Sequence, residues 1–140
     1  MSQDLERAKQ LLKTTDSTVV ICRGETTYES TRRGVQPLLS WLDSETDLMG
    51  FSAADKVVGR GAAFLYRLLG VRAVYGHVMS VAAVKVLRAG GIEASWGTLT
   101  ESIMNRQKNG PCPIELATRD IQVPENALFI IRTTLENLQK

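Results

Sequence analysis

The sequence has few of the residues that most often bind metals or form cross-links. Its 140 residues contain two cysteines, Cys22 and Cys112, and one histidine, His77. Two cysteines this far apart do not make the disulfide framework of a small secreted protein. No pair among the three has the spacing of zinc ligands, so a site would require three distant segments to converge. We therefore expect no disulfide, no bound metal and no cofactor.

The sequence also lacks long apolar runs and a strong charge of either sign. No stretch approaches about 18 apolar residues, and the polar N-terminus lacks the apolar core of a signal peptide. Lysine and arginine total 17 against 15 acidic residues, a net charge of +2. Without a basic stripe interleaved with aromatics, nucleic-acid binding is disfavoured. These absences predict a cytoplasmic protein with no membrane span and no nucleic-acid partner.

The remaining composition is that of an ordinary folded domain. Hydrophobic residues make up 44% and charged residues 23% of the chain, which is typical globular usage. A chain of this length can bury one core without cross-links. We therefore predict that residues 1–140 form one domain.

The pattern of apolar residues predicts alternating helices and strands. An apolar run at 19–22 and the weakly alternating 26–30 are separated by a Gly24 turn, which favours a hairpin. Ser52 and Asp55 have the spacing of a capping box, and the apolar residues that follow predict one helix ending at Gly70. Further strands are predicted at 71–75 and 92–96. Helices are predicted near 4–12, after Pro37, from Ser80 to Gly90, from Thr98 or Thr100 to Met104, from Pro113 and from Pro124.

The order of these elements predicts the fold class. An early hairpin followed by strand, helix and strand is typical of an α/β fold with a mixed sheet. We predict three layers, with helices packed on both faces of the sheet.

Three separated segments carry a resemblance to a known family. They are 55–63 (DKVVGRGAA), 73–80 continuing to Gly91-Ile92, and 103–106 (IMNR) with Cys112-Pro113-Ile114-Glu115. Together they resemble a small family of short bacterial and archaeal proteins that has no settled activity. The resemblance implies a cytidine-deaminase-like fold.

The wider deaminase superfamily implies a metal site that this chain does not reproduce. Its members open one helix with H-A-E or C-A-E and the next with P-C-x-x-C, which supply three zinc ligands and a proton-shuttling glutamate. The corresponding segments here are 58–61 (VGRG) and 79–83 (MSVAA). Glycine and alanine offer no ligand and serine is a poor one, so zinc-dependent deamination is not expected.

The first candidate site is basic. Lys56, Arg60 and Arg67 share one face of the helix predicted from Ser52. Gly59 and Gly61 flank Arg60, and each would cost about 1 kcal/mol inside a helix. One interpretation is an anion-binding corner, with Lys56 and Arg60 holding a phosphate or carboxylate. The other is a solvated face with tight packing against the sheet.

The second candidate site surrounds Cys112. With Pro113 in the first helical turn, Cys112 takes the N-cap position, where the helix dipole favours a thiolate. Glu115 either opposes this effect or caps the helix. The catalytic hypothesis therefore names Cys112 and Glu115, and the alternative is a packed helix start. Ser80 would offer a hydroxyl and a helix N-terminus to a ligand. Asn105 and Arg106 would clamp a ligand or simply end a helix.

Two functions of different classes follow from these residues. The first is binding of a small anionic or nucleotide-like ligand, with catalysis that needs no zinc as an extension, so whether the chain is an enzyme stays open. The second is a non-catalytic module that acts through oligomerisation or a regulatory partner. A homo-oligomer is expected in both cases.

Overall fold

The computed structural model describes residues 3–104 and 110–138. They form an α/β fold in which a five-stranded mixed sheet is packed by helices. In chain order the elements are α1 (Gln3–Thr14), β1 (Val19–Arg23), β2 (Thr26–Ser30), α2 (Gln36–Asp43), β3 (Ser52–Val58), α3 (Arg60–Leu69), β4 (Ala73–Ser80), α4 (Val81–Ala89), β5 (Glu93–Thr100), α5 (Pro113–Thr118) and α6 (Pro124–Leu138).

The sheet has the strand order β2-β1-β3-β4-β5. β1 runs antiparallel to both β2 and β3, whereas β3, β4 and β5 are mutually parallel. The parallel strands are joined through α3 and α4. The carboxyl ends of β3, β4 and β5 therefore lie at the same end of the sheet. Helices α3 and α4 begin directly after β3 and β4.

Helices cover both faces of the sheet, which confirms the predicted three-layer α/β architecture. On one face, Ala8 and Leu12 of α1 pack against Val20, Cys22 and Ala54. The opposite face carries the larger core. Its largest fully buried members are Tyr66, Phe64, Ile21, Leu38, Leu48, Leu65, Met79, Leu87, Ile131, Val19 and Val58.

The single helix predicted from Ser52 to Gly70 is wrong. Residues 52–58 are β3, which lies between β1 and β4, and α3 begins only at Arg60. Ser52 and Asp55 are therefore strand residues and form no capping box. The spacing of the residues that face the core also changes along β3. Asp55 and Val58, three residues apart, both face α3, whereas Val57 between them is exposed. That shift breaks the two-residue alternation by which a strand is recognised.

One further prediction near the sheet is wrong, and one is correct except for its bounds. The short helix predicted from Thr98 or Thr100 to Met104 does not form, because β5 continues to Thr100 and Met104 pairs with Pro111 in an isolated bridge. The strand predicted at 71–75 forms as β4, but it spans Ala73–Ser80, so His77 lies within it and has an exposed side chain.

Several local signals are confirmed. The hairpin turns at Gly24, and α3 ends at Gly70 in the left-handed conformation with φ 76°. Ser80 caps α4, and α5 and α6 begin at Pro113 and Pro124. Among the described residues, no helix is both long and apolar enough to span a membrane.

Candidate functional site

The candidate site lies at the carboxyl ends of the parallel strands β3 and β4. Val58 of β3 is paired with Met79 of β4, and the helices that follow begin at Arg60 and Val81. Two helix N-termini therefore start from adjacent strands. In each helix the first backbone N–H groups have no partner within the helix and lie at the positive end of the helix dipole, a combination that attracts anions.

The N-terminus of α3 is occupied by the carboxylate of Glu115. The Arg60 backbone N–H donates to Glu115 Oε1 over 2.5 Å, and the Gly61 N–H also donates to this carboxylate. Burial raises the pKa of Glu115 above its usual range, while the two amides and the charge of Arg60 oppose the rise. Glu115 thus supplies the cap that α3 does not obtain from Gly59.

The Arg60 side chain makes the reciprocal contact with the end of α5. Its Nε donates to Thr118 O over 2.8 Å, and its Nη2 donates to Ile121 O. The guanidinium also lies 5.1 Å from the centroid of the Phe64 ring. Arg60 therefore holds the last carbonyls of α5 and the turn that follows, where a cation is electrostatically favoured.

The two glycines beside Arg60 make room for α5. A Cβ at Gly59 would overlap the Glu115 carboxyl group, and a Cβ at Gly61 would overlap Ile114 Cγ2. Gly59 is the N-cap of α3 and Gly61 lies in its first turn, so neither carries the full cost of a mid-helix glycine. Close packing therefore explains this Gly-Arg-Gly run without an added ligand.

The structure brings together only part of the predicted site. Arg60 and Glu115 interact directly. Ser80 is fully buried, and its Oγ accepts from Ala83 N over 3.0 Å as the cap of α4. Cys112 is partly buried at the N-cap of α5, with no side-chain capping bond.

The prediction that Lys56 lies beside Arg60 on one helix face is wrong. It is an exposed residue of β3, so it does not share a helix face with Arg60 and Arg67. The predicted contributions of Asn105 and Arg106 lie outside the described residues.

A buried acid was missed by sequence reasoning. Tyr66 OH of α3 donates to Asp55 Oδ2 of β3 over 2.6 Å, and both side chains are buried. Burial raises the pKa of Asp55 to about 7, although the Tyr66 hydroxyl and the amides of Val57 and Lys56 act to lower it. The signal for this pair is an aspartate in a buried strand, which the helical interpretation of residues 52–70 concealed.

A surface cleft lies away from this site. A cleft of about 270 Å³ is lined by Trp41, Leu68 and the loop from Glu45 to Met49. Within residues 3–104 and 110–138, no three histidine, cysteine, aspartate or glutamate side chains are grouped so as to hold a metal ion.

The sequence matches a known protein family. Residues 7–135 match the domain of unknown function DUF1893. The chain belongs to the DUF1893 family. This agrees with the resemblance to a family of unsettled activity, and it assigns no reaction, ligand or partner. No curated protein matches the sequence.

A solved structure of a DUF1893 protein has the same fold. A DUF1893 family protein from Thermotoga maritima superposes with a TM-score of 0.85 at 22% identity, over 95% of this chain and 91% of that one. At this identity the likeness shows the DUF1893 fold alone. A diaminohydroxyphosphoribosylaminopyrimidine deaminase/5-amino-6-(5-phosphoribosylamino)uracil reductase from the same organism has a TM-score of 0.43 at 15% identity, over 68% of this chain and 35% of that one.

Proposed function

We propose that this DUF1893 protein binds a small oxyanion, a carboxylate or a phosphate, at the N-terminus of α3, in exchange for the Glu115 carboxylate. The observation that carries the proposal is the contact between Glu115 Oε1 and the Arg60 amide. In that contact an anionic group from elsewhere in the chain sits where a ligand anion would bind.

The rest of the contact makes such an exchange feasible. Glu115 is partly buried, and that burial raises the pKa of its carboxyl group, so keeping it charged at this place is costly. It is carried by a helix of only six residues. A helix this short has little stability of its own, so its position depends on the contacts that Ile114, Glu115 and Arg60 make.

Arg60 would gain a second role after the exchange. Its guanidinium now donates to the carbonyls of Thr118 and Ile121. If α5 moved away, these donors would be free to form charge-assisted bonds with the bound anion. A nucleotide-like ligand would place its phosphate at this point. The catalytic roles predicted for Cys112 and Glu115 remain an extension of this hypothesis.

Titration calorimetry with inorganic phosphate and with a nucleoside monophosphate tests the proposal. Glu115→Ala removes the competing carboxylate. Because a hydrogen bond to a charged group is worth about 1.5–3 kcal/mol, we expect this variant to bind roughly 10- to 100-fold more tightly than the unaltered protein. Glu125→Ala is the matched control, since Glu125 is an exposed glutamate in the first turn of α6.

A third variant connects binding to the α3 N-terminus. Gly59→Ala places a Cβ where the carboxylate now lies, so it should weaken binding even when Glu115 is also replaced by alanine. Failure of the unaltered protein and of Glu115→Ala to bind either ligand would refute the proposal. Equal binding by Glu115→Ala and Glu125→Ala would show that the anion binds elsewhere.

A further inference from the structure

The surface cleft beside α2 lies at the end of α3 opposite to the one that Glu115 contacts. Its volume is about 270 Å³, close to the lower end of the roughly 300–1,000 Å³ that is usual for small-molecule sites. Most of its wall is apolar and consists of Trp41, Leu42, Leu48, Met49, Leu68 and Leu69. The cleft therefore suits a small ligand with an apolar body.

The charged side chains that line this cleft are both acidic. They are Glu45 and Asp47, which follow the C-terminus of α2. A helix C-terminus is the negative end of the helix dipole, where a cation is favoured. Among the residues that the structure describes, neither carboxylate forms a salt bridge, whereas Asp43 in the last turn of α2 pairs with Arg132. The cleft therefore combines apolar walls with negative charge that no described cation of the chain neutralises.

The backbone at Glu45 shows that its carboxylate is placed here at a cost. α2 ends in a Schellman motif, in which Glu45 N donates to Leu42 O over 3.1 Å. Thr46 N makes the second bond of the motif, to Trp41 O over 3.0 Å. Glu45 adopts φ 53°, a left-handed conformation that usually requires glycine or asparagine, and every other described residue with a positive φ is a glycine. Because glutamate is unfavourable here in backbone and in charge, a binding role gives a reason for it.

We propose that this cleft binds a small organic cation, in the form of a guanidinium group on a short alkyl chain. The carboxylates of Glu45 and Asp47 hold the cationic group, and the apolar walls cover the alkyl chain. Trp41 adds an aromatic ring, which attracts a cation through its π face. A guanidinium fits these groups better than an ammonium does, because its planar fork bonds two carboxylate oxygens and stacks on aromatic rings.

NMR titration of the full chain with N-butylguanidinium tests the proposal. Of the two tryptophans, Trp41 lines the cleft and Trp96 does not, so their indole N–H signals report on different places. The Trp41 signal, assigned with Trp41→Phe, should shift with a dissociation constant of about 0.1–1 mM, while the Trp96 signal stays in place. N-Butylurea has the same shape without the charge, so it should bind weaker by roughly tenfold or more.

A double variant tests the two carboxylates. Glu45→Gln with Asp47→Asn removes both charges and should weaken binding of N-butylguanidinium by roughly tenfold or more, without changing binding of N-butylurea. Asp16→Asn with Glu125→Gln is the matched control, since it removes the same charge from two exposed residues outside the cleft.

Glu45→Gly separates binding from folding. It relieves the left-handed backbone and removes the carboxylate together. This variant should therefore melt about 3 °C higher than the unaltered protein and still bind the cation more weakly. A variant that is more stable and binds equally well would remove Glu45 from the site and overturn the proposal as stated.

Three other outcomes would also overturn it. The first is a Trp41 signal that does not move at up to about 50 mM N-butylguanidinium. The second is equal affinity for N-butylurea, or equal affinity of the double variant and its control. The third comes from a short peptide, GGRGG, whose arginine carries the same guanidinium group. If the peptide bound more than about tenfold more tightly than N-butylguanidinium, the cleft would recognise a partner protein and not a free small cation.

Discussion

Asp55 should make the stability of the fold fall as pH rises from about 4 to 7. Its pKa is raised from 3.8 to about 7 in the folded protein, because burial penalises the charged carboxylate. In the unfolded chain the group returns to its ordinary pKa. Between the two values the folded state holds a proton that the unfolded state has released, so rising pH favours unfolding. The contribution is fully present below pH 4 and is lost by the time pH passes 7.

The magnitude follows from the two pKa values. A difference of one pKa unit corresponds to about 1.4 kcal/mol, so a rise from 3.8 to about 7 corresponds to roughly 4 kcal/mol in total. Between pH 5 and pH 8 the loss should be about 3 kcal/mol. For a chain of 140 residues, this is a fall of roughly 10 °C in melting temperature.

Urea unfolding at pH 5 and pH 8 tests this with Asp55→Asn. The amide stays neutral, so the difference in unfolding free energy between the two pH values should shrink by about 3 kcal/mol relative to the unaltered protein. The carbonyl oxygen of the introduced amide can still accept from Tyr66 OH. Its N–H groups meet backbone donors instead of acceptors, so we expect a cost of about 1–3 kcal/mol that does not vary with pH.

Asp43→Asn is the matched control. Asp43 is exposed, and its hydrogen bond with Arg132 lowers the pKa of its carboxyl group. It is therefore ionised in the folded and unfolded states throughout pH 5–8, and its replacement should leave the slope unchanged. If Asp55→Asn keeps the same slope as the unaltered protein, the buried carboxyl group is charged in the fold and the reasoning about Asp55 is refuted.

Two further variants test the packing around α3 and α4. Gly61→Ala should destabilise the fold by about 1–3 kcal/mol in urea unfolding, because its Cβ overlaps Ile114, although alanine is the better helix former. Most of that cost should disappear in an Ile114→Ala background, and an equal cost in both backgrounds would contradict the assignment. Ser80→Ala should cost about 1 kcal/mol, because it removes the cap on Ala83 N. An unchanged unfolding midpoint would show that the cap adds nothing.

The features predicted correctly from the sequence depend on local chemistry. Gly24 and Gly70 supply positive φ, Pro113 and Pro124 start helices, and Ser80 caps α4. Each of these signals acts within a few residues of the chain. The α/β class followed because the hairpin and the later strand–helix–strand order were both identified.

The missed strand depended on contacts that are distant in sequence. β3 contains alanine, aspartate and lysine, which have low strand propensity, and only Gly59 separates it from α3. Its conformation is fixed by pairing with β1 on one side and β4 on the other. Tertiary pairing therefore overrode local preference. The same error moved Lys56 into the predicted site and hid Asp55.

The position of α5 relates the packing of this fold to its proposed ligand. A six-residue helix cannot hold its place by its own hydrogen bonds, so α5 stays where Glu115, Ile114 and Arg60 fix it against α3. Gly59 and Gly61 are needed for that contact whether or not a ligand binds, so the glycines cannot distinguish the two interpretations of the Gly-Arg-Gly run. Removing the charge of Glu115 can distinguish them. If the carboxylate only caps α3, removing it should lower stability without improving phosphate binding. If it occupies a ligand site, the same removal should lower stability and tighten binding together.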